Sequence, residues 1–277
     1  MHAVEYAIVG AGAIGSIIGA HLVRAGHSVA MVVREHRAAQ LRRNGLRIRG
    51  IVEFAVPVSV ITDAYELSSA DVLIVAMKTP GTEAALAPLR NTSIGTAFSI
   101  QNGLWKNDVL TETFGAERVL GSLANTSGEL MPDGTVLFTR NVNLLVGELA
   151  GGRSARAHRI ATSIDVSGVR ATAVPDVLAR EWTKFIAWVP LMSLSVTTRA
   201  LTWRYLSDPH GAAVIVNLVR EVAKLARAHG IELIDDQSLL PQAVILNGSD
   251  EAAIDAVLAV GEQYRVNAPE HRMSSLQ

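Results

Sequence analysis

A glycine-rich stretch near the N-terminus, Gly10-Ala11-Gly12-Ala13-Ile14-Gly15, joins the apolar run Ala7-Ile8-Val9 to a segment of helical spacing from Ser16 to Arg24. Glycines in a G-x-G-x-x-G pattern at a strand-to-helix turn suit a pyrophosphate. The first permits the tight turn, the second lets backbone approach the anion, and the third lets the helix pack on the strand. Backbone N–H groups and the helix dipole then face the negative charge. Gly10, Ala11, Gly12, Ala13, Ile14 and Gly15 are therefore assigned to binding a dinucleotide. A second apolar run, Ser28 to Val33, ends at Arg34. An NAD-binding chain usually carries Asp or Glu there for the ribose diol, whereas a guanidinium pairs with a 2′-phosphate, so Arg34 points to NADP(H). Arg37, Arg42, Arg43, Arg47 and Arg49 follow. They read either as further anion contacts or as the solvated face of a helix and its following turn.

Three more side chains have types suited to chemistry. Lys78 ends the apolar run Val72 to Met77, at the edge where open α/β sheets take ligands. Its ammonium can meet a phosphate or carboxylate, or serve solubility alone. Asn102 follows the run Ala97 to Ile100. Its amide offers donor and acceptor to a carboxamide or a ribose hydroxyl, and an ordinary Asn-Gly turn is the alternative. Lys184 lies in the apolar helical stretch WTKFIAWV at 182–189, where an ammonium either has a ligand or snorkels to the helix edge. Hydride attack on a ketone puts negative charge on oxygen, and a positioned lysine can stabilise that charge and donate the proton. Lys184 is therefore the expected catalytic acid.

The elements that must position these groups follow from the apolar pattern. Short β-branched runs at 7–10, 28–33, 72–77, 97–100 and 118–123 alternate with helical stretches, the rhythm of βαβ units around a parallel sheet. Weaker strands are expected at 135–139, 142–147 and 169–174, with the turn MPDGT at 131–135 before the first two. From Pro175 the character changes. Asp176 can cap a helix through VLAREWTKFIAW, and 210–229 and 250–266 repeat apolar residues at intervals of three and four. The sequence predicts an α/β Rossmann-type N-terminal domain over residues 1–174, followed by an all-α C-terminal domain over 175–277 that serves substrate binding and dimerisation.

Composition bounds the function. Lys and Arg total 25 against 26 Asp and Glu, so no excess of cations is available to nucleic acid and any anion site must be local. The chain has no Cys, which excludes disulfides and thiolate metal sites, and no metal is expected. The opening MHAVEYAIVG lacks the basic start of a signal peptide, and a cytoplasmic location is expected. No uncharged apolar run reaches the roughly 18 to 20 residues that a membrane helix needs, so no membrane is expected as a partner.

In its motifs the chain resembles the ketopantoate reductase (2-dehydropantoate 2-reductase) family. The matching pieces are GAGAIG at 10–15, VREHRAAQLRRNGLRI at 33–48, VAMKT at 75–79, SIQNG at 99–103, REWTKF at 180–185 and, more loosely, HRMSSLQ at 271–277. The resemblance implies NADPH-dependent reduction of a 2-oxo acid to a 2-hydroxy acid, 2-dehydropantoate to pantoate in the family's role in pantothenate biosynthesis. By similarity, Lys78 and Asn102 contact cofactor, Lys184 is the catalytic lysine, and Lys184 and Ser275 touch substrate. The expected partners are that small 2-oxo acid and a second copy of the chain.

Departures from the family pattern matter as much. Asparagines that hold substrate in better-known members, four and eight residues after the lysine, are Trp188 and Met192 here. The expected substrate wall is bulkier and more apolar, which favours a related, more apolar 2-oxo acid. Pro190 should kink the helix, and Ser193, Ser195, Thr197, Thr198 and Arg199 are left for polar duties, with Arg199 the candidate clamp for the substrate carboxylate. The chain ends two residues after Ser275, short of an acidic cofactor contact and a further helix in the family, so the helical domain is expected to be incomplete at its C-terminus. The alternative function is an NADP(H)-binding Rossmann sensor without turnover.

Overall fold

The computed structural model describes residues 2–235 and 239–273, and the chain divides into two compact units, Met1–Leu178 and Ala179–Gln277. In the first, β1 (His2–Val9), α1 (Ala13–Arg24), β2 (Val29–Val32), α2 (Glu35–Asn44), β3 (Leu46–Gly50), β4 (Phe54–Val56) and β5 (Ser59–Ile61) come in succession. They lead into β6 (Leu67–Val75), α3 (Thr82–Leu86), β7 (Ser93–Ser99), α4 (Trp105–Phe114), β8 (Leu120–Leu130), β9 (Val136–Glu148), α5 (Ala155–Ser167) and β10 (Ala171–Ala173).

Five of these strands form a parallel sheet in the order β5-β2-β1-β6-β7, with Ala7 opposite both Ala30 and Leu73. The period of two divides the apolar residues between its faces. Ile8, Met31, Ile74 and Phe98 pack into one core with Ile17, Ile18 and Leu22 of α1, while Ala7, Val9, Leu73 and Val75 pack into another with Leu86, Val109 and Phe114. Burial on both faces is why β2 reads as an unbroken apolar run rather than an alternation.

A second sheet has the order β10-β9-β3-β4, with β8 antiparallel to β9. The two strands expected at 135–139 and 142–147 are one, the 13-residue β9. The turn at 131–135 joins it to β8, closed by Met131 N–H donating to the Thr135 carbonyl at 2.8 Å. Arg47 and Arg49 do not lie in a turn after a helix, as the charge run suggested. They alternate with Leu46 and Ile48, both buried, along β3. Gly45 makes the change from α2 to β3 feasible: its φ is +66°, and a Cβ there would stand 2.3 Å from the Val56 carbonyl oxygen.

The helical unit follows from α6 (Val177–Thr198), which begins two residues before the division, and contains α7 (Thr202–Leu206), α8 (Pro209–Ala228), α9 (Gln242–Asn247) and α10 (Asp250–Asn267). No strand occurs among its described residues. Asp208 caps α8 by accepting from Gly211 N–H at 2.7 Å, with Pro209 in the first turn. Ala212, Ile215, Val216, Val219, Val222, Ala223 and Ala226 then form one buried stripe, each large side chain contributing roughly 1.5–3 kcal/mol. The stripe joins Ile186, Leu191, Met192, Leu206 and Val257 in a single core. Pro190 removes one backbone donor, yet α6 runs on through it to Thr198.

Candidate functional site

The three glycines of the 10–15 loop separate cleanly in the structure. Gly10 has φ +102°, and a Cβ there would lie 2.9 Å from the backbone nitrogen of Met77. At Gly15 a Cβ would meet the Gly10 carbonyl oxygen at 2.3 Å and the Ala76 Cβ at 2.8 Å. The fold itself requires these two glycines. Gly12 is different: its φ is −71°, and the nearest atom to an added Cβ is the Ala76 carbonyl oxygen at 3.9 Å. A Cβ at Gly12 would meet no protein atom more closely than this, so the space beside it belongs to the cleft. Gly12 is also the N-cap of α1, with no side-chain cap and no acidic residue in the first turn. The loop thus offers N–H groups and the positive helix end to an anion.

That loop opens on a cleft of about 840 Å³ along the C-terminal ends of the strands, lined by Gly10, Gly12, Arg34, Arg37, Asp63 and Lys78 among others. Three permanent cations face it against one carboxylate, which gives the cleft a net attraction for a phosphorylated ligand. Arg34, two residues after β2, is exposed to it, as is Lys78, three residues after β6. Asn102 occupies the equivalent place three residues after β7. Val75 pairs with Ser99, so Lys78 and Asn102 leave neighbouring strands at the same level. Asn102 does not line the described cleft. The loop, the helix end and these cations fit a dinucleotide.

The other arginines sort by partner. Arg42 pairs with Glu35 at 2.7 Å, Arg47 with Asp133 at 3.7 Å and Arg49 with Glu53 at 3.8 Å. Arg37 is not a solvated helix-face residue. Its Nε donates to the Ala11 carbonyl at 3.0 Å, Nη1 to Gln40 Oε1 at 2.9 Å and to the Gly134 carbonyl at 3.2 Å, and Nη2 to Ser16 Oγ at 3.3 Å. Burial pushes its pKa down, though a guanidinium keeps its charge at any ordinary pH. Arg37 therefore braces the glycine loop against α2 and the β8–β9 turn. Local charge pattern could not reveal this, since Gly134 lies 97 residues away in sequence. Asp63 was also missed, because the short edge strand β5 that delivers it gives almost no sequence signal.

In the helical unit, Lys184 is half-buried on α6 with its Nζ 5.4 Å from the centroid of the Trp188 ring. The ring face stabilises the ammonium and steers the side chain along the helix. One residue earlier, fully buried Thr183 holds the turn: its carbonyl accepts from Gln242 Nε2 at 2.9 Å and its Oγ1 from Ile234 N–H at 3.1 Å. Met192 does not form a substrate wall. It is buried in the apolar core of the unit beside Leu191 and Leu194. Arg199 is exposed just past the end of α6, with φ +52°. Fifteen residues separate it from Lys184, about 22 Å of helix axis, more than a small 2-oxo acid spans. The structure does not bring these two together, which removes Arg199 as the clamp of a substrate held at Lys184. Ser193, Thr197 and Thr198 are likewise exposed, and Ser195 is buried with its hydroxyl donating to the Met273 carbonyl at 3.2 Å. Ser275 lies outside the described residues. No cluster of metal-ligating side chains and no helix able to cross a membrane occurs among the described residues.

Comparison with known proteins agrees with this layout. Residues 6–151 match the family described as Ketopantoate reductase PanE/ApbA, and residues 176–253 match Ketopantoate reductase PanE/ApbA C terminal. A protein of Archaeoglobus fulgidus named 2-dehydropantoate 2-reductase is 29% identical over 203 residues, 73% of this chain and 67% of that one. The crystal structure of a PanE/ApbA family ketopantoate reductase from Ralstonia eutropha JMP134 superposes with a TM-score of 0.80 at 23% identity, covering 98% of this chain and 84% of that one. A ternary structure of D-mandelate dehydrogenase with NADH and anilino(oxo)acetate shares the fold with a TM-score of 0.78 at 18% identity, over 98% of this chain and 83% of that one. With both halves of the sequence matched in order, the chain belongs to the ketopantoate reductase family of oxidoreductases.

Proposed function

We propose that this protein reduces a small 2-oxo acid to the 2-hydroxy acid with NADPH, the substrate being 2-dehydropantoate or a related, more apolar 2-oxo acid. The observation that carries the reading is the cleft at Gly12, open where a pyrophosphate needs room and lined by Arg34, Arg37 and Lys78 against Asp63 alone. Arg34 lies at the end of β2, where it pairs with a 2′-phosphate and an acid would repel one. The bound cofactor supplies a hydride to C2 of the substrate. As the carbonyl π pair moves onto oxygen, the Lys184 ammonium stabilises the growing charge and gives that oxygen a proton, and water restores the lysine. Lys78 and Asn102 hold the cofactor.

Trp188 sets the substrate preference in this reading. Where better-known members place an amide, an indole ring flanks the ammonium, so the surroundings of Lys184 gain apolar surface and lose the amide's acceptor. The deciding experiment is a turnover screen of 2-dehydropantoate, branched aliphatic and aromatic 2-oxo acids with NADPH and NADH. NADPH consumption is expected, fastest with the apolar acids. Tight NADPH binding with no turnover on any acid would leave the sensor as the correct reading, and equal kcat/KM for NADH would withdraw the role given to Arg34.

A further inference from the structure

The loops that carry Lys78 and Asn102 are tied together by side chains that touch neither the cleft nor solvent. Thr82 Oγ1 donates to the Thr79 carbonyl at 2.7 Å, next to Lys78. With its only hydrogen committed there, the same oxygen accepts from Gln101 Nε2 at 2.8 Å. Gln101 Oε1 accepts in turn from Ser99 Oγ at 2.9 Å, and Ser99 Oγ accepts from the Gln101 N–H at 3.2 Å. Beyond Ser99 the chain continues: its carbonyl accepts from Ser122 Oγ of β8 at 2.7 Å, and the Ser122 carbonyl accepts from Lys106 Nζ of α4. Thr82, Ser99, Gln101, Ser122 and Lys106 are all buried, none more than 7% exposed.

The Gln101 side chain is held at both ends, its oxygen accepting from Ser99 Oγ at 2.9 Å and its nitrogen donating to Thr82 Oγ1 at 2.8 Å, which fixes the orientation of the amide. We propose that Gln101 is a positioning residue for hydride transfer: its amide, held between Thr82 and Ser99, sets the spacing between the Lys78 loop and the Asn102 loop. The inference rests on the reductase reading above, in which those loops hold the cofactor. The paired register of the two strands ends at Val75 and Ser99, with Ile100 N–H still donating to the Val75 carbonyl at 3.0 Å, and beyond that point the amide bridge links the two loops. A buried, fully bonded network is suited to this because each member, deprived of its partner, is left without water to replace it.

The test is Thr82→Val, which keeps the shape and deletes the hydroxyl, beside Thr82→Ser, which restores it. Thr82 is 2% exposed and does not line the cleft, so neither change touches cofactor. With wild-type turnover of NADPH and the best 2-oxo acid as the reference, Thr82→Val should lose about 10- to 100-fold in kcat with little change in the Kd for NADPH, and Thr82→Ser should recover most of the rate. The hydride step should become more exposed, read as a larger isotope effect with deuterated NADPH. Should Thr82→Val fail to fold, Gln101→Met gives the same readout, since Met fills the site without the amide. Wild-type kcat and isotope effect in a folded Thr82→Val or Gln101→Met variant would overturn the positioning role while leaving the reductase reading intact. A wild-type protein inactive on every acid would overturn both.

Discussion

Substitution at Gly12 should abolish cofactor binding without harming the fold, and substitution at Gly15 should do the reverse. A Cβ at Gly12 has 3.9 Å to its nearest neighbour, ordinary van der Waals contact, and φ −71° is open to any residue. Gly12→Val should therefore change stability by no more than about 1 kcal/mol, the scale of an N-cap substitution. At Gly15 the Cβ would stand 2.3 Å from the Gly10 carbonyl oxygen, so α1 must lift from β1, at roughly 1–3 kcal/mol or more for overpacking of this kind. On the cleft side, the valine side chain of Gly12→Val fills the place of the pyrophosphate. If two charge-assisted hydrogen bonds from the loop are lost, at about 1.5–3 kcal/mol each, the Kd for NADPH should rise roughly 10²- to 10⁴-fold. Calorimetric titration of NADPH and a thermal melt of each variant give both quantities. NADPH affinity within threefold of wild type in Gly12→Val would refute the assignment of 10–15 as the dinucleotide loop. A melting temperature lowered as far in Gly12→Val as in Gly15→Ala would refute the division of roles between the glycines.

Arg34→Asp should weaken NADPH far more than NADH, because a like charge replaces the partner of the 2′-phosphate; equal losses in the two dissociation constants would count against it. Lys184→Ala should depress kcat by roughly 10²- to 10⁴-fold with NADPH affinity unchanged, and Lys184→Arg should rescue binding more than rate; near-normal turnover in the alanine variant would make Lys184 structural. His21 supplies a pH test. Its Nδ1 donates to the Ser167 carbonyl at 2.9 Å, its ring is edged by Phe54 and Phe138, and burial, aided by the charge of Arg24, holds its pKa below the usual 6.5 against the opposing Ser167 contact. Above pH 6.5 both folded and unfolded states carry it neutral; below, the unfolded chain takes up a proton that the folded one resists, so stability falls as pH falls, by at most about 1.4 kcal/mol per pH unit. Urea midpoints of His21→Gln should lack this part of the acid-side decline, and parallel pH curves for variant and wild type would remove His21 from the account.

The sequence was most legible where one level of structure decided the pattern. Runs at 7–10, 28–33, 72–77 and 97–100 fall on β1, β2, β6 and β7 because strands covered on both faces are filled mostly by apolar residues. The stripe of α8 is similarly plain. Strands β3, β4 and β5 went unread for a physical reason: three to five residues long and half-exposed, they alternate apolar with charged or small residues too briefly to compete with the arginine run before them. One residue was misplaced by the resemblance: Met192, expected at a substrate wall, is claimed by the core. Arg37 and Gln101 act through partners distant in the chain, which no local pattern encodes.

What converts scattered residues into a site is the strand order. Read across the sheet, β5-β2-β1-β6-β7 delivers Asp63, Arg34, the Gly10–Gly15 loop, Lys78 and Asn102 in that sequence, each within three residues of a strand end. Four intervals of about 4.8 Å put the outer strands roughly 19 Å apart. The chain winds outward from β1 in both directions, and at such a switch point the loops diverge and leave a crevice. Gly12 sits at that point. In the proposed reading, the Arg34 side takes the 2′-phosphate end of a dinucleotide, and the Lys78 and Asn102 side takes the nicotinamide end from which hydride leaves. The amide bridge of Gln101 lies wholly on the β6–β7 side, together with Thr82. Its loss should therefore slow the hydride step and leave discrimination between NADPH and NADH untouched, whereas Arg34→Asp should alter discrimination and leave the isotope effect alone. A double variant whose two effects failed to combine independently would mean that the two sides of the crevice are coupled through the glycine loop, with Arg37, the brace of that loop, as the residue to change next.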